Sequence, residues 1–173
     1  MKVFVDSVPL PASDINEYLV NTIYAIKPAD TIRSNTTTVN ADPDLSVNLV
    51  SAHSYRLDVV ILYDSSTTAG FRFRFFASAG VVLYGLANGV FAGSPGVWWR
   101  IPYGLLPAQG QQGLGDNQVL VGEDPFDSVA TVSGILVTGA NGGSFSFAWA
   151  QNVANAFNTT VRTGSSMYLR RVS

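Results

Sequence analysis

The chain has 173 residues, a length that one domain around one core accommodates. Hydrophobic residues make up 47% and charged residues 13%, about half the charge share of roughly 25% usual in soluble domains, which excludes intrinsic disorder. A formal net charge of −2 offers nothing to a polyanion, so neither nucleic acid nor a membrane surface is an expected partner, and the absence of cysteine removes disulfides, thiolate metal sites and thiol nucleophiles.

Residues 1–27 read as a segment of their own. Lys2 to Val5 alternates as a short strand, and no apolar stretch of signal-peptide type precedes Asp6 and Pro9. A helix is predicted between Ser13 and Ile26. Asp14 and Glu17 have capping-box spacing, and Ile15, Tyr18, Leu19, Thr22, Ile23 and Ile26 recur at three and four. That apolar face needs a partner, which makes Ile15, Tyr18, Leu19 and Ile23 the candidate attachment residues.

From Pro28 onward the period is two. Tyr55, Leu57, Val59, Ile61 and Tyr63 alternate with a second, half-apolar face. Phe71, Phe73 and Phe75 alternate with Arg72 and Arg74, and Phe145, Phe147 and Trp149 with Ser146, Ala148 and Ala150. Further strands are predicted near Thr36–Val39, Leu45–Val50, Val81–Leu86, Val97–Ile101, Val119–Val121, Val129–Thr138 and over Met167–Val172. Turn residues separate them at Asp42–Pro43, Asp64–Gly70, Ala87–Gly89 and Gly139–Gly143. Many short strands without intervening helices predict an all-β fold, a jelly-roll-like antiparallel β-sandwich over 28–173 behind a short N-terminal strand and helix. No apolar run approaches the roughly 18 residues of a spanning helix, which predicts a soluble chain.

Residues 87–126 interrupt the rhythm with Gly, Pro and Gln around Trp98, Trp99 and Tyr103. So long a connection carries either a function or a hairpin of its own. The three aromatics are either core and interface anchors or a stacking platform for a sugar ring or peptide. Arg72 and Arg74, with the small residues Ser146, Ala148 and Ala150, are the candidate subunit interface: small side chains admit a close neighbour, and guanidinium forks take its carboxylates.

No catalytic set emerges. His53, the only histidine, lies at a predicted turn, and no Gly-x-Ser-x-Gly elbow marks a nucleophile. Asp42 and Asp44 flank Pro43, and Glu123 and Asp124 precede Pro125, both in turn contexts; either pair alone supplies fewer oxygens than a calcium ion takes, which leaves calcium at the Asp42/Asp44 turn as a minor alternative. Gly113-Leu-Gly115 lacks the lysine and hydroxyl of a phosphate loop. No cofactor or metal is expected, and the chain is not read as an enzyme.

The C-terminal runs Gly134-Ile-Leu-Val-Thr-Gly-Ala, Gly143-Ser-Phe-Ser-Phe-Ala-Trp-Ala-Gln-Asn and Asn158-Thr-Thr-Val-Arg-Thr-Gly-Ser-Ser-Met-Tyr-Leu-Arg-Arg-Val resemble a module of tailed-bacteriophage virion proteins. Ala29-Asp-Thr-Ile-Arg-Ser-Asn-Thr-Thr-Thr resembles its opening. Val8-Pro-Leu-Pro-Ala-Ser-Asp-Ile-Asn-Glu-Tyr-Leu resembles the short attachment segment before such modules. The resemblance weakens across 87–126. It implies a virion structural protein made in the host bacterial cytoplasm and displayed on the particle surface, a homotrimer attached to the major capsid protein or another virion protein. Two placements follow: a capsid decoration (cement) or short head-fibre protein, or a tail-tip or tail-fibre component that binds a host surface glycan through the 87–126 loop.

Overall fold

The computed structural model describes residues 22–78, 80–89, 99–105, 118–120 and 127–172. They form twelve strands: β1 (Thr22–Ile26), β2 (Thr31–Arg33), β3 (Asn40–Leu49), β4 (Ser54–Asp64), β5 (Phe71–Ala77), β6 (Val82–Asn88), β7 (Trp99–Leu105), β8 (Gln118–Leu120), β9 (Ser128–Val137), β10 (Gly143–Gln151), β11 (Thr159–Val161) and β12 (Ser166–Arg171). Alternation drives the long ones. On β4 every second residue from Tyr55 to Tyr63 is buried, and on β5 Phe71, Phe73 and Phe75 point inward between half-buried arginines.

The pairing is nested. β1 pairs with β12, β2 with β11, β3 with β10, β4 with β9, β5 with β8 and β6 with β7, all antiparallel. The chain is thus one long hairpin rolled into two sheets. The larger runs β1-β12-β4-β9-β6-β7, with β11 and β2 beside β4, and the smaller runs β3-β10-β5-β8. This is a jelly roll, extended by the β6–β7 hairpin. Between the sheets lies a core that includes Leu57, Val59, Ile61, Val132, Leu136, Met167 and Leu169 from one side and a run of rings from the other. Phe75 stacks on Phe145 at 4.9 Å, Phe73 on Phe147 at 5.5 Å, and Phe71 on Tyr63 at 4.4 Å.

The structure departs from the sequence reading in three places. Thr22, Ile23 and Ile26, taken as the last helical turn, belong to β1, where Ile26 is exposed; the earlier part of that segment lies outside the described residues. A Thr-Ile-Tyr-Ala-Ile run suits a strand better than a helix once β12 offers it a ladder. Residues 22–27 therefore belong to the sandwich, whose beginning moves ahead of Pro28. Second, Asp42-Pro43 is not a turn but part of β3, and Thr36–Val39 is not a strand. Pro43 is tolerated because β3 is an edge strand. Third, the long loop expected over 87–126 is interrupted by the end of β6 and by β7 and β8, which answer to the strands expected near Val97–Ile101 and Val119–Val121.

Two ends result. One gathers the segments around 27–31, 64–70, 127 and 151–165, joined by Lys27 N–H to Ser165 O at 2.8 Å and Val153 N–H to Ala69 O at 2.8 Å. The opposite end gathers the turns at 50–53 and 138–142 and the contact of Val81 N–H with Ser78 O, with the outer ends of β1 and β12, where Thr22 faces Arg170.

Candidate functional site

The bulge in β3 builds the most unusual site. Ser46 pairs with Ser146 and Ala41 with Ala148, so residues 42–45 stand opposite Phe147 alone. That slack turns Asp42 inward, where it is 1% exposed. Lys27, also 1% exposed, enters from the end of β1. Its Nζ donates to Asp42 Oδ1 at 2.9 Å, Asp44 Oδ2 at 2.8 Å and Thr31 Oγ1 at 2.6 Å. Trp149 Nε1 donates to the other oxygen of Asp42 at 2.9 Å. The Arg33 guanidinium lies 4.2 Å above the Trp149 ring and donates to the Trp149 and Ala41 carbonyls. Desolvation pulls the Arg33 pKa down while the Asp42 charge opposes it. The calcium reading of Asp42 and Asp44 fails here, because an ammonium already sits between the two carboxylates.

Gln151, two residues on, organises the same end. Its Nε2 donates to Phe157 O at 2.7 Å, and its Oε1 accepts from the backbone of Asn155 at 3.1 Å and Thr36 at 3.3 Å. The Trp-Ala-Gln-Asn run therefore has a physical basis: the indole anchors Asp42 and the amide folds the following loop.

Beside it, Arg162 bridges three acids. Its guanidinium donates to Asp30 at 3.0 Å, Asp64 at 3.1 Å and Asp127 at 3.0 Å, while Thr163 N–H donates to Asp30 at 2.8 Å. The Thr163 backbone first, then Arg162, holds Asp30 below its ordinary pKa of 3.8, and hydrogen bonds to Asp30 and Asp127 raise the Arg162 pKa above that of a free guanidinium. A depressed carboxylate contributes stability above its unfolded pKa and loses it as pH falls through 3.8 and below. The raised Arg162 stays charged in both states throughout the acid range, so it adds no slope there. Asp30→Asn is therefore expected to lower the urea midpoint near neutrality and to converge on the wild type between about pH 6 and about pH 2. A gap that stays constant over that range would exclude the carboxylate as its source.

The residues singled out in sequence are placed as follows. Ile15, Tyr18, Leu19 and Trp98 lie outside the described residues. Ile23 is half-buried against the core on β1. Trp99 and Tyr103 are on β7, at the edge of the larger sheet. Arg72, Arg74, Ser146, Ala148 and Ala150 do share one face of the smaller sheet: Arg74 pairs with Ala148 and Arg72 with Ala150. Ala148 and Ala150 are nevertheless fully buried within the single chain and Ser146 nearly so, so they present no free small-residue surface to a neighbour. Ser146 spends its hydroxyl on Ser46 at 2.8 Å, and Arg72 donates to Thr37 O. His53 occupies the β3–β4 turn, its ring against Ser51 O and its N–H donating to Thr138 Oγ1 at 2.9 Å.

The exposed apolar surface lies instead on the outer face of the larger sheet. Tyr24, Ile26, Val60, Tyr84, Val129, Ile135 and Tyr168 are all exposed there, and Tyr24 stacks on Tyr168 across the β1–β12 pair at 6.1 Å. Alternation in β4 pointed to it through Val60 and Leu62. Tyr24 and Ile26 were hidden by the helical reading.

No family model matches the chain, and no curated protein matches it either. Among solved structures it is similar to infectious bursal disease virus of the Gx strain, at 11% identity over 87% of this chain and 38% of that one, with a TM-score of 0.20. The VP2 subviral particle of the same virus gives 12% identity over 87% and 39%, again at 0.20, and the Gt strain 11% over 87% and 40% at 0.20. The chain spans about two fifths of the solved chains it matches. The jelly-roll assignment rests on the strand pairing.

Proposed function

We propose that this chain is a non-enzymatic structural protein of a bacteriophage virion, a homotrimeric decoration or short head-fibre protein that attaches to the capsid through the residues ahead of β1. The observation that carries this reading is the apolar outer face of the larger sheet. A soluble monomer seldom leaves so many large side chains together in water, and a subunit covered by its own copies or by a shell has reason to. The place where β1 begins supports it too: Thr22 lies at the end opposite the Lys27 and Arg162 clusters, which suits attachment at one end and display at the other.

Electron microscopy of particles carrying a labelled copy should place it on the head, and a label on the tail would sink the decoration reading. Sedimentation should give three times the 18.5 kDa chain, with Tyr168→Glu shifting it toward the monomer. A second reading keeps the virion and changes the task. Trp99 and Tyr103 lie on an edge strand, and jelly rolls also serve as lectin domains, which supports glycan recognition by 87–126 in a tail component. Under that reading Trp98→Ala with Trp99→Ala abolishes host adsorption; under the first it alters only assembly or stability.

A further inference from the structure

Lys27 is one of two lysines in the chain, and at 1% exposure it is placed where a lysine is rarely found. All three of its N–H bonds are taken, two of them by carboxylates that differ in their surroundings. The Asp42 side chain is wholly buried, whereas that of Asp44 is 31% exposed and reaches water. Trp149 Nε1 holds the oxygen of Asp42 that Lys27 does not touch, and the guanidinium above the indole makes that N–H a stronger donor. An amine, a carboxyl with a donor on its far oxygen, and a second carboxyl open to water are the parts of an amide-forming centre.

We propose that Lys27 and Asp42 condense to an intramolecular isopeptide bond, with Asp44 carrying the protons. Buried ion pairs are held at a desolvation cost that a neutral product escapes, and groups fixed in contact react as one molecule. Asp44 takes a proton from Nζ and hands it to Asp42 Oδ1, so that the freed lone pair attacks the Cγ of a neutral carboxyl. Trp149 Nε1–H stabilises the charge that develops on Oδ2. Asp44 then carries a second proton from Nζ to Oδ1, the Cγ–Oδ1 bond breaks, and Oδ1 leaves as water past the exposed side of Asp44. Ammonium and carboxylate become one amide and one water, with no change of net charge and no outside reagent. The product clips the end of β1 in the larger sheet to the start of β3 in the smaller. Its amide oxygen keeps the Trp149 donor, and its burial excludes the water that would hydrolyse it.

Intact mass of the full chain, measured in denaturant, tests this together with a peptide map. The expected wild-type mass is one water below that of the sequence, with a single linked peptide pair joining Lys27 to Asp42. Lys27→Arg keeps the charge and the donors and should return the full sequence mass. Asp44→Ala leaves the Lys27–Asp42 contact and should slow the water loss by about 100-fold or more, as removal of a proton carrier does. A folded wild type at full sequence mass after prolonged incubation overturns the proposal. So does a water loss retained in Lys27→Arg, or one as fast in Asp44→Ala as in the wild type. Where a variant does not fold, the wild-type peptide map decides alone. None of these readouts depends on where the protein sits in a particle.

Discussion

Lys27→Met is expected to lower stability by about 3–5 kcal/mol, the cost of leaving one member of a buried ion pair without its partner. The methionine fills similar space, but the Asp42 carboxylate, 1% exposed, keeps only the Trp149 Nε1 donor and the Asp44 N–H at 3.1 Å. Thr31 loses a donor as well. For a chain of this length the loss corresponds to a Tm fall of about 6–20 °C, and a covalent Lys27–Asp42 link would raise it. Adding Asp42→Asn to Lys27→Met should recover part of the loss, since the amide is neutral and still accepts from the indole. Arg56→Ala is the control: its pair with Asp58, at 3.1 Å, is exposed on both sides, and such pairs contribute about 1 kcal/mol or less. Thermal unfolding of the three variants checks the ordering. Equal effects of Lys27→Met and Arg56→Ala would mean that the cluster is wet.

Gly134→Ala should cost about 3 kcal/mol, at the upper end of what a single added methyl does in a packed interior. A Cβ there would stand 2.2 Å from Tyr84 O and 2.7 Å from Gly85 Cα, both backbone atoms of β6. Rotamer changes cannot relieve that overlap. Nor can β9 move aside, because Gly134 is paired with Leu57 on one flank and Gly85 on the other. The strain falls on the junction between β6 and the rest of the sheet, so hydrogen exchange should quicken in β6 while β4 and β12 keep their protection. Ser133→Ala, on the exposed side next door, should change stability by no more than about 0.5 kcal/mol. A midpoint for Gly134→Ala within that range would show that β6 is held more loosely than its pairing implies.

The strands were legible wherever one face is buried. Phe71-Arg-Phe-Arg-Phe, Phe145-Ser-Phe-Ala-Trp and the run from Tyr55 to Tyr63 state their inward face outright, and two such faces with turn residues between them suffice for a sandwich. Less legible was Asp42-Pro43-Asp44, which has the composition of a turn and is an edge-strand bulge. Proline and aspartate are excluded from central ladders, not from an edge whose partner skips residues. Lys27 gave no sign of burial, because its partners lie 15 and 17 residues away and only the roll of the chain brings them together. Small residues at Ala148 and Ala150 suggest an open face, but the arginines paired beside them on β5 share that face with their long stems.

The nested order of pairing also bears on how the chain is made. Among the described residues, β1 to β6 pair only with β7 to β12, never among themselves. A nascent chain therefore emerges with its first half, including Phe71, Phe73 and Phe75, bearing no strand partner until β7 leaves the ribosome. From then on partners arrive in reverse order, and each pair formed shortens the loop that the next must close. β1 is sealed last, by β12. Synthesis of the second half is thus the interval in which unpaired, aromatic strand edges are open to aggregation or to chaperones.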